Sequence, residues 1–519
     1  MVLQLHLKPK KKLKDKAPST WSSIMTIVKS SWLNVLLIFI PVGWALHFTP
    51  ITPVAVFVTT FLAIIPLANL LAFSTEELAI RVGETLGGLL NATLGNAVEL
   101  IVAIIALIQC KLTVVQSSLI GSILSNLLLV LGMCFYAGGV KYSEQGFLVT
   151  PSQVNSELLF LSVVAVLLPG AFNIAVRSSN SSDNNTSNDV PTSVLGSDIL
   201  QMSHGVAVIL LFIYLCYLIF TLWSHASMMN ATSQESTLYP TGFKGPTMLM
   251  HNMQDKWKES FPRSKSPSSK SKKRPPLPPL DLPLEAQADA PAQPDGPDQR
   301  ANSTSPPEPH IADVQQPAPV PDGMENDLEA AEASRLAHGH GEPVPPTEDD
   351  EQELQMNVPV TIGLLLIVTV LVGVTAEFLV DSIDGVTATG AISEEWVGLI
   401  LLPIVGNAAE HVTAVTVAIK DKLDLSIGVA VGSSIQIAVF VIPFVVVVAW
   451  IMGKPLTMLF DPFESVVLFL AVLTVNYTTQ DAKSNWLEGM ILMMLYVIVA
   501  VSFWFYPGYN PSQALNLPC

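Results

Sequence analysis

The stretch NATLGNAVELIVAIIAL, from Asn91 to Leu107, puts one carboxylate, Glu99, inside a run otherwise fit for lipid or a protein core. Asn96 precedes it by three residues, so the two side chains share a helix face. An ionised carboxylate at the middle of a membrane helix costs about 3 kcal/mol even on the lenient insertion scale. A chain that keeps one there has a use for it. The same pattern returns: GNAVELIVA begins at Gly95 and GNAAEHVTA at Gly406, an offset of 311 residues. The next segments carry GSILSN from Gly121 and GSSIQI from Gly432, at the same offset of 311. Two motifs holding one spacing are an internal repeat. A weaker match precedes them at a different offset, STEELAI from Ser74 against VTAEFLV from Val374, pairing Glu77 with Glu377.

Composition agrees with a membrane reading. Half of the 519 residues are hydrophobic and only 13% are charged, roughly half the charged share of a soluble domain. Apolar runs near twenty residues recur at both ends of the chain. The formal charge of −17 comes almost entirely from one segment, because Pro275–Leu354 holds eighteen acids against Arg300 and Arg335. The low pI therefore describes a loop. The four cysteines, Cys110, Cys134, Cys216 and Cys519, contain no CxxC pair, which argues against a disulfide framework or a zinc site. No apolar h-region follows the basic KPKKKLKDK at once, so no cleaved signal peptide is expected.

The expected fold is an all-α polytopic membrane protein of eleven transmembrane helices, one N-terminal helix plus two inverted five-helix repeats. The boundaries are a basic cytosolic N-terminus (1–31), an N-terminal transmembrane helix (32–52), the first repeat (53–225), a disordered cytosolic loop (226–357), the second repeat (358–506) and a short tail (507–519). The expected spans of the repeats are Pro53–Phe73, Thr85–Gln109, Val114–Val140, Ser156–Ala175 and His204–His225, then Val358–Ile383, Glu395–Ile419, Leu425–Met452, Phe463–Thr479 and Trp486–Tyr506. Five crossings per copy is odd, so the second copy enters the bilayer upside down, the plan of many secondary transporters.

Lysine and arginine set the orientation. Six lysines from Lys8 to Lys16 hold the N-terminus in the cytosol, and eleven crossings bring Arg81, Lys141, Lys420, Lys422 and Lys483 to the same side. The sequons at Asn180, Asn184 and Asn185 then fall in the lumen, whereas those at Asn230 and Asn302 stay cytosolic. The loop is basic at KWKESFPRSKSPSSKSKKR and then proline-rich and acidic, a composition that cannot bury enough apolar surface to order itself. Its basic run reads as a tether near anionic headgroups or as a docking site, with Ser266 as a candidate phosphorylation position. HGHG at His338–Gly341 reads as linker.

Glu99 and Glu410 each fall about fifteen residues into their spans, near the bilayer centre at the ~1.5 Å rise of a helix. Inversion brings them face to face. Asn96 and Asn407 share their faces, and Ser122, Ser433 and Gln436 on the following spans complete an oxygen shell, while Ser125 and Ser434 read as packing residues. Two carboxylates among amide, hydroxyl and carbonyl oxygens suit a divalent ion such as calcium or manganese rather than copper or zinc. Gly95 and Gly406 let the backbone approach closely or open. Asn96 and Asn407 can also be read as interhelical hydrogen-bonding glue. Glu77 and Glu377, near membrane ends, are candidate vestibule residues. His411 points to a different face, as packing or a proton relay.

GNAVELIVA and GNAAEHVTA, followed by GSILSN and GSSIQIA, resemble the paired signature repeats of the calcium/proton exchanger (CAX) family of the cation/calcium exchanger superfamily, the fungal vacuolar type above all. The resemblance covers roughly residues 30–225 and 357–506. It implies proton-driven calcium sequestration in the vacuole, with the ion held by Glu99 and Glu410 and supported by Asn96, Asn407, Ser122, Ser433 and Gln436. The family's link between halves is short and carries an acidic helix; here it exceeds a hundred residues, with its densest acids at Glu348, Asp349, Asp350 and Glu351 as candidate regulatory residues.

The expected cycle is a competition. Two close carboxylates in low dielectric cannot both ionise cheaply, so they hold either protons or the ion. Two pH units are worth roughly 2.7 kcal/mol per proton, and two protons support a calcium gradient of about 10⁴. A sodium/calcium exchanger, a passive divalent-cation channel and an intramembrane enzyme are the alternatives; no GxSxG or HExxH supports the last. No enzymatic activity, cofactor or nucleic-acid partner is expected beyond transported Ca²⁺ (or Mn²⁺), H⁺ and the lipid bilayer.

Overall fold

The computed structural model describes residues 18–182, 192–225, 237–238, 354–388, 390, 392–510, 515 and 519. The sequons at Asn184, Asn185, Asn230 and Asn302, together with Ser266, His338 and Glu348, Asp349, Asp350 and Glu351, lie outside them.

Helices α1 (Thr20–Lys29) and α2 (Trp32–His47) meet at 89°. The first half continues with α3 (Pro53–Val82), α4 (Glu84–Leu94), α5 (Ala97–Ile108), α6 (Leu112–Lys141), α7 (Val149–Ser182) and α8 (Thr192–Ile219). The second half has α9 (Val358–Thr387), α10 (Glu394–Gly406), α11 (Ala408–Ile419), α12 (Leu423–Ile451), α13 (Pro462–Thr478) and α14 (Trp486–Trp504). Among the described residues seven helices are long and apolar enough to cross a bilayer, and ten crossings result if each of three bent pairs counts once. The α13 helix is apolar but only 17 residues long, about 26 Å against a hydrocarbon core of about 30 Å.

The interior is organised around α6, where every residue from Leu112 to Leu128 is buried. Small residues permit this: a methyl group added at Gly121 would lie 2.2 Å from the Leu399 carbonyl oxygen and 2.6 Å from Pro403 Cγ, the close approach that small residues give membrane helices. Polar residues at helix starts set the boundaries. Asn357 caps α9 through Val360 N, and Asn485 with Glu488 forms a capping box on α14. Trp44 Nε1 donates to Thr375 Oγ1 at 3.2 Å, tying α2 to α9.

Side-chain contacts identify two faces. On one, the linker face, Lys141 Nζ donates to Ile419 O, Gln145 Nε2 donates to Asp421 Oδ1, and Lys483 pairs with Glu144. On the opposite face Lys111 pairs with Asp384 at 2.7 Å, Gln109 Nε2 donates to Asp381 Oδ1, and Lys454 Nζ lies 2.8 Å from Cys110 Sγ.

Three sequence expectations are corrected. Cys110 and Cys519 form a disulfide across 409 residues of sequence; local cysteine spacing carries no information about a pair that only the helix topology joins. The structure is not wholly helical: β1 (Tyr142–Gly146) lies between β2 (Thr237–Leu238) and β3 (Lys483–Ser484), both antiparallel to it. Strands of two residues have no periodicity to detect. Several helices also outrun the apolar windows that announced them, α3 by continuing through Ser74–Val82 and α7 by starting at Val149, while residues 20–29 form α1 within the expected basic N-terminus.

Candidate cation site

Both repeat motifs break a helix. α4 ends at Leu94 and α5 begins at Ala97 with a 42° bend, and α10 ends at Gly406 with α11 beginning at Ala408 and a 56° bend. Asn96 and Asn407 occupy the N-cap positions with φ of −102° and −86°. Glu99 and Glu410 therefore sit in the first turn of a half-helix, where free N–H groups and the positive end of the dipole favour negative charge. Glycine at 406 leaves room for the carboxylate: a methyl group there would lie 2.7 Å from Glu99 Oε1 and would push that side chain aside.

The polar side chains link the halves. Asn96 Nδ2 donates to Gln436 Oε1 at 2.7 Å, and Ser433 Oγ donates to Asn96 Oδ1 at 2.9 Å. Asn126 Nδ2 donates to Ser433 Oγ at 3.2 Å, and Asn407 Nδ2 donates to Ser122 O at 3.3 Å. Asn96, Asn126 and Asn407 are buried to 2% exposure or less. Each amide thereby commits one of its two N–H groups to a neighbour, and several oxygens are left over. Glu410 Oε2, Asn126 Oδ1 and Asn407 Oδ1 are buried with no hydrogen-bond partner. Each such oxygen costs about 1–3 kcal/mol unless something positive meets it, and an oxygen-only set with two carboxylates fits a hard divalent cation. No group of three or more His, Cys, Asp or Glu side chains competes as a metal centre among the described residues.

Two cavities flank these residues. One of 20 Å³ is lined by Glu99, Ser118, Ser122, Val405 and Gly406, room for about one water or ion. The other, of 500 Å³, runs from Leu148 and Asp424 at the linker face past Gly428 and Gly432 to Gln436.

Of the expected residues, Glu99, Glu410, Asn96, Asn407, Ser122, Ser433 and Gln436 are brought together. Ser434 donates to Ala430 O as a packing residue. His411 Nε2 lies 3.5 Å from Ser125 Oγ. Glu77 lines neither cavity: it is 3% exposed, accepts from Gln355 N and Met356 N at 3.0 and 3.3 Å, and lies 3.7 Å from Arg81. It clamps the chain just before α9. Glu377 is exposed and distant from that clamp. Asn126 was missed, because its counterpart in the second copy is Ile437 and a search by symmetry passes over it. π-helical turns at Ser125–Val130 and Ile437–Val441 follow the site in both halves, a feature common at functional positions.

The sodium/calcium exchanger family model matches residues 52–223 and 360–505, the segments that carry both broken helices. The chain belongs to the sodium/calcium exchanger family. It is 52% identical over 518 residues to a vacuolar calcium ion transporter of Cryptococcus neoformans var. grubii serotype A, covering 98% of this chain and 79% of that one. It is 36% identical to a Ca²⁺/H⁺ antiporter of Synechocystis sp., covering 92% and 98%. The solved structure of native YfkE aligns with a TM-score of 0.56 at 25% identity, over 91% of this chain and 99% of that one. Calcium/proton exchangers among the relatives bear out the family resemblance of the repeats.

Proposed function

We propose that this chain is a multi-pass vacuolar cation/proton antiporter that moves calcium from the cytosol into an acidic lumen in exchange for protons. The observation that carries the reading is the pair of broken helices, each placing a glutamate in the first turn of a half-helix among buried oxygens without partners. The linker face is cytosolic in this reading and the Cys110–Cys519 face lumenal. Residues 53–225 and 358–506 are two inverted copies of five crossings, and α2 is the eleventh crossing.

Calcium enters through the 500 Å³ vestibule and reaches Glu99 and Glu410 past Gln436. Binding displaces protons, because ion and protons neutralise the same two charges. Alternating access then exposes the loaded pair to the lumen, where acid reprotonates both carboxylates and releases the ion. Exclusive occupancy is what couples the fluxes: a site holding both, or neither, carries an uncompensated charge at the bilayer centre. Donors that are all oxygen admit manganese as a second cargo.

The test is calcium uptake into acid-inside vesicles. Uptake that stops when the pH gradient is collapsed, and that a sodium gradient does not restore, is the expected result. Uptake that persists without the proton gradient contradicts antiport and returns sodium exchange or a channel.

A further inference from the structure

Glu464 is a 1%-exposed carboxyl that lines neither cavity. It accepts a hydrogen bond from Ser117 Oγ on α6 at 2.5 Å. The adjacent Gln116 donates through Nε2 to the carbonyls of Thr457 and Leu459, both at 2.9 Å. Three bonds therefore tie the start of α6 to the segment entering α13. Among the described residues the charged groups facing Glu464 are Asp461, which caps α13 and is held by Tyr506 at 2.9 Å, and Glu395 from α10. Both are acids, and burial raises the Asp461 carboxyl above its ordinary range. A carboxylate buried among acids with no cation is costly; the same carboxyl with a proton is not.

In the other copy of the repeat the same elements still touch, but a cavity lies where the matching residues would meet. Pro462 and Pro151 are again 311 residues apart, so α13 corresponds to α7 as α6 corresponds to α12. Ser117 maps onto Gly428, Gln116 onto Ile427 and Glu464 onto Gln153. Gly428 and Gln153 are exposed, and a methyl group at Gly428 would meet no atom within 4 Å. Gly428 lines the vestibule, with Pro151, Ser152 and Asn155 of α7 opposite. In an inverted repeat the form open to the other side exchanges these two arrangements.

Resting on the antiport reading above, we propose that Glu464 and Ser117 are the latch of the lumenal gate, and that the latch is set by lumenal protons. While the cytosolic vestibule is open, a protonated Glu464 is buried against Ser117. When α13 parts from α6 the carboxyl meets lumenal water and gives its proton to it. Closing re-forms the O–H bond with a proton from the lumen. That proton leaves and returns on one side, so it is not transported. It makes lumenal acid favour the return to the cytosol-open form without entering the exchange ratio. Glu464 is a positioning residue, acting through the gate and not on the ion.

The test uses the full chain in lumen-out proteoliposomes. Thr113→Cys, one helical turn before Ser117 and buried, in a Cys216→Ser background is probed with a membrane-impermeant maleimide, each rate being divided by that of free cysteine at the same pH because the thiolate is the reacting form. The normalised labelling from the lumenal side is expected to rise by about fivefold or more between lumenal pH 5 and pH 8. A lumenal labelling rate that does not change with pH, or labelling from the linker face, overturns the latch. Glu464→Gln keeps the proton-to-calcium ratio of the wild type and shifts the lumenal pH of half-maximal exchange by about half a unit or more. An unchanged profile overturns the proposal; Ser117→Ala, which removes only the donor, gives the same reading if Glu464→Gln does not fold. Loss of proton coupling in the wild type would reject antiport, whereas the labelling result would stand by itself.

Discussion

The first turns of α6 and α12 are two copies of one element, and they sit in opposite surroundings. On α6, Thr113, Ser117 and Ser118 are buried, and Gly121 is pressed against Leu399 and Pro403. On α12 the residues 311 later are Asp424, Gly428, Val429 and Gly432; they line a 500 Å³ cavity, and a methyl group at Gly432 would meet nothing within 4 Å. Of these positions only the glycine is kept in both copies, so the contrast between Gly121 and Gly432 is the part that a change of state, and not a change of residue, accounts for. The chain is closed around the start of α6 and open around the start of α12, and the antiport cycle proposed above, with inverted copies, exchanges the two.

The largest expected effect on this comparison is at its most crowded point. Gly121→Ala should lower stability by about 1–3 kcal/mol, because the added carbon meets backbone at Leu399. Gly432→Ala should leave stability unchanged or raise it by ~0.5–1 kcal/mol, as alanine does in a helix with free space. Thermal midpoints in detergent measure both, and equal losses would break the asymmetry. Gly432→Ala should nevertheless slow turnover by about tenfold, since Gly432 takes the crowded position when the vestibule closes. A smaller effect sharpens the contrast where the copies differ. Asn126→Ala should weaken calcium binding by about tenfold through loss of an unpartnered oxygen, whereas Ile437→Ala at the matching position should change it by less than about twofold.

Much of this was legible in the letters because membrane helices are long and their apolar windows are clear. The repeat placed Glu99 and Glu410 at matched depth, and three-residue spacing put Asn96 and Asn407 beside them. What escaped lacked either periodicity or symmetry. The helix breaks at Asn96 and Asn407 fall inside continuous apolar runs, and glycine alone announces only that a break is permitted. Asn126 escaped because Ile437 hides it. The Glu77 clamp on Gln355 and Met356, and the Cys110–Cys519 bridge, join residues hundreds of positions apart and depend on which helix ends share a face. The short sheet, the helix α1 and the extensions of α3 and α7 are set by tertiary contact and lie outside the apolar windows.

The central claim is that Glu99 and Glu410, one from each copy, make a single site where calcium and protons exclude each other. Calcium binding to the purified protein with simultaneous measurement of proton release tests it most directly, on the wild type, Glu99→Gln and Glu410→Gln. The account predicts one calcium bound with proton release in the wild type, and near-complete loss of binding in either variant. Half the calcium retained in each variant, or binding that releases no protons, would contradict it.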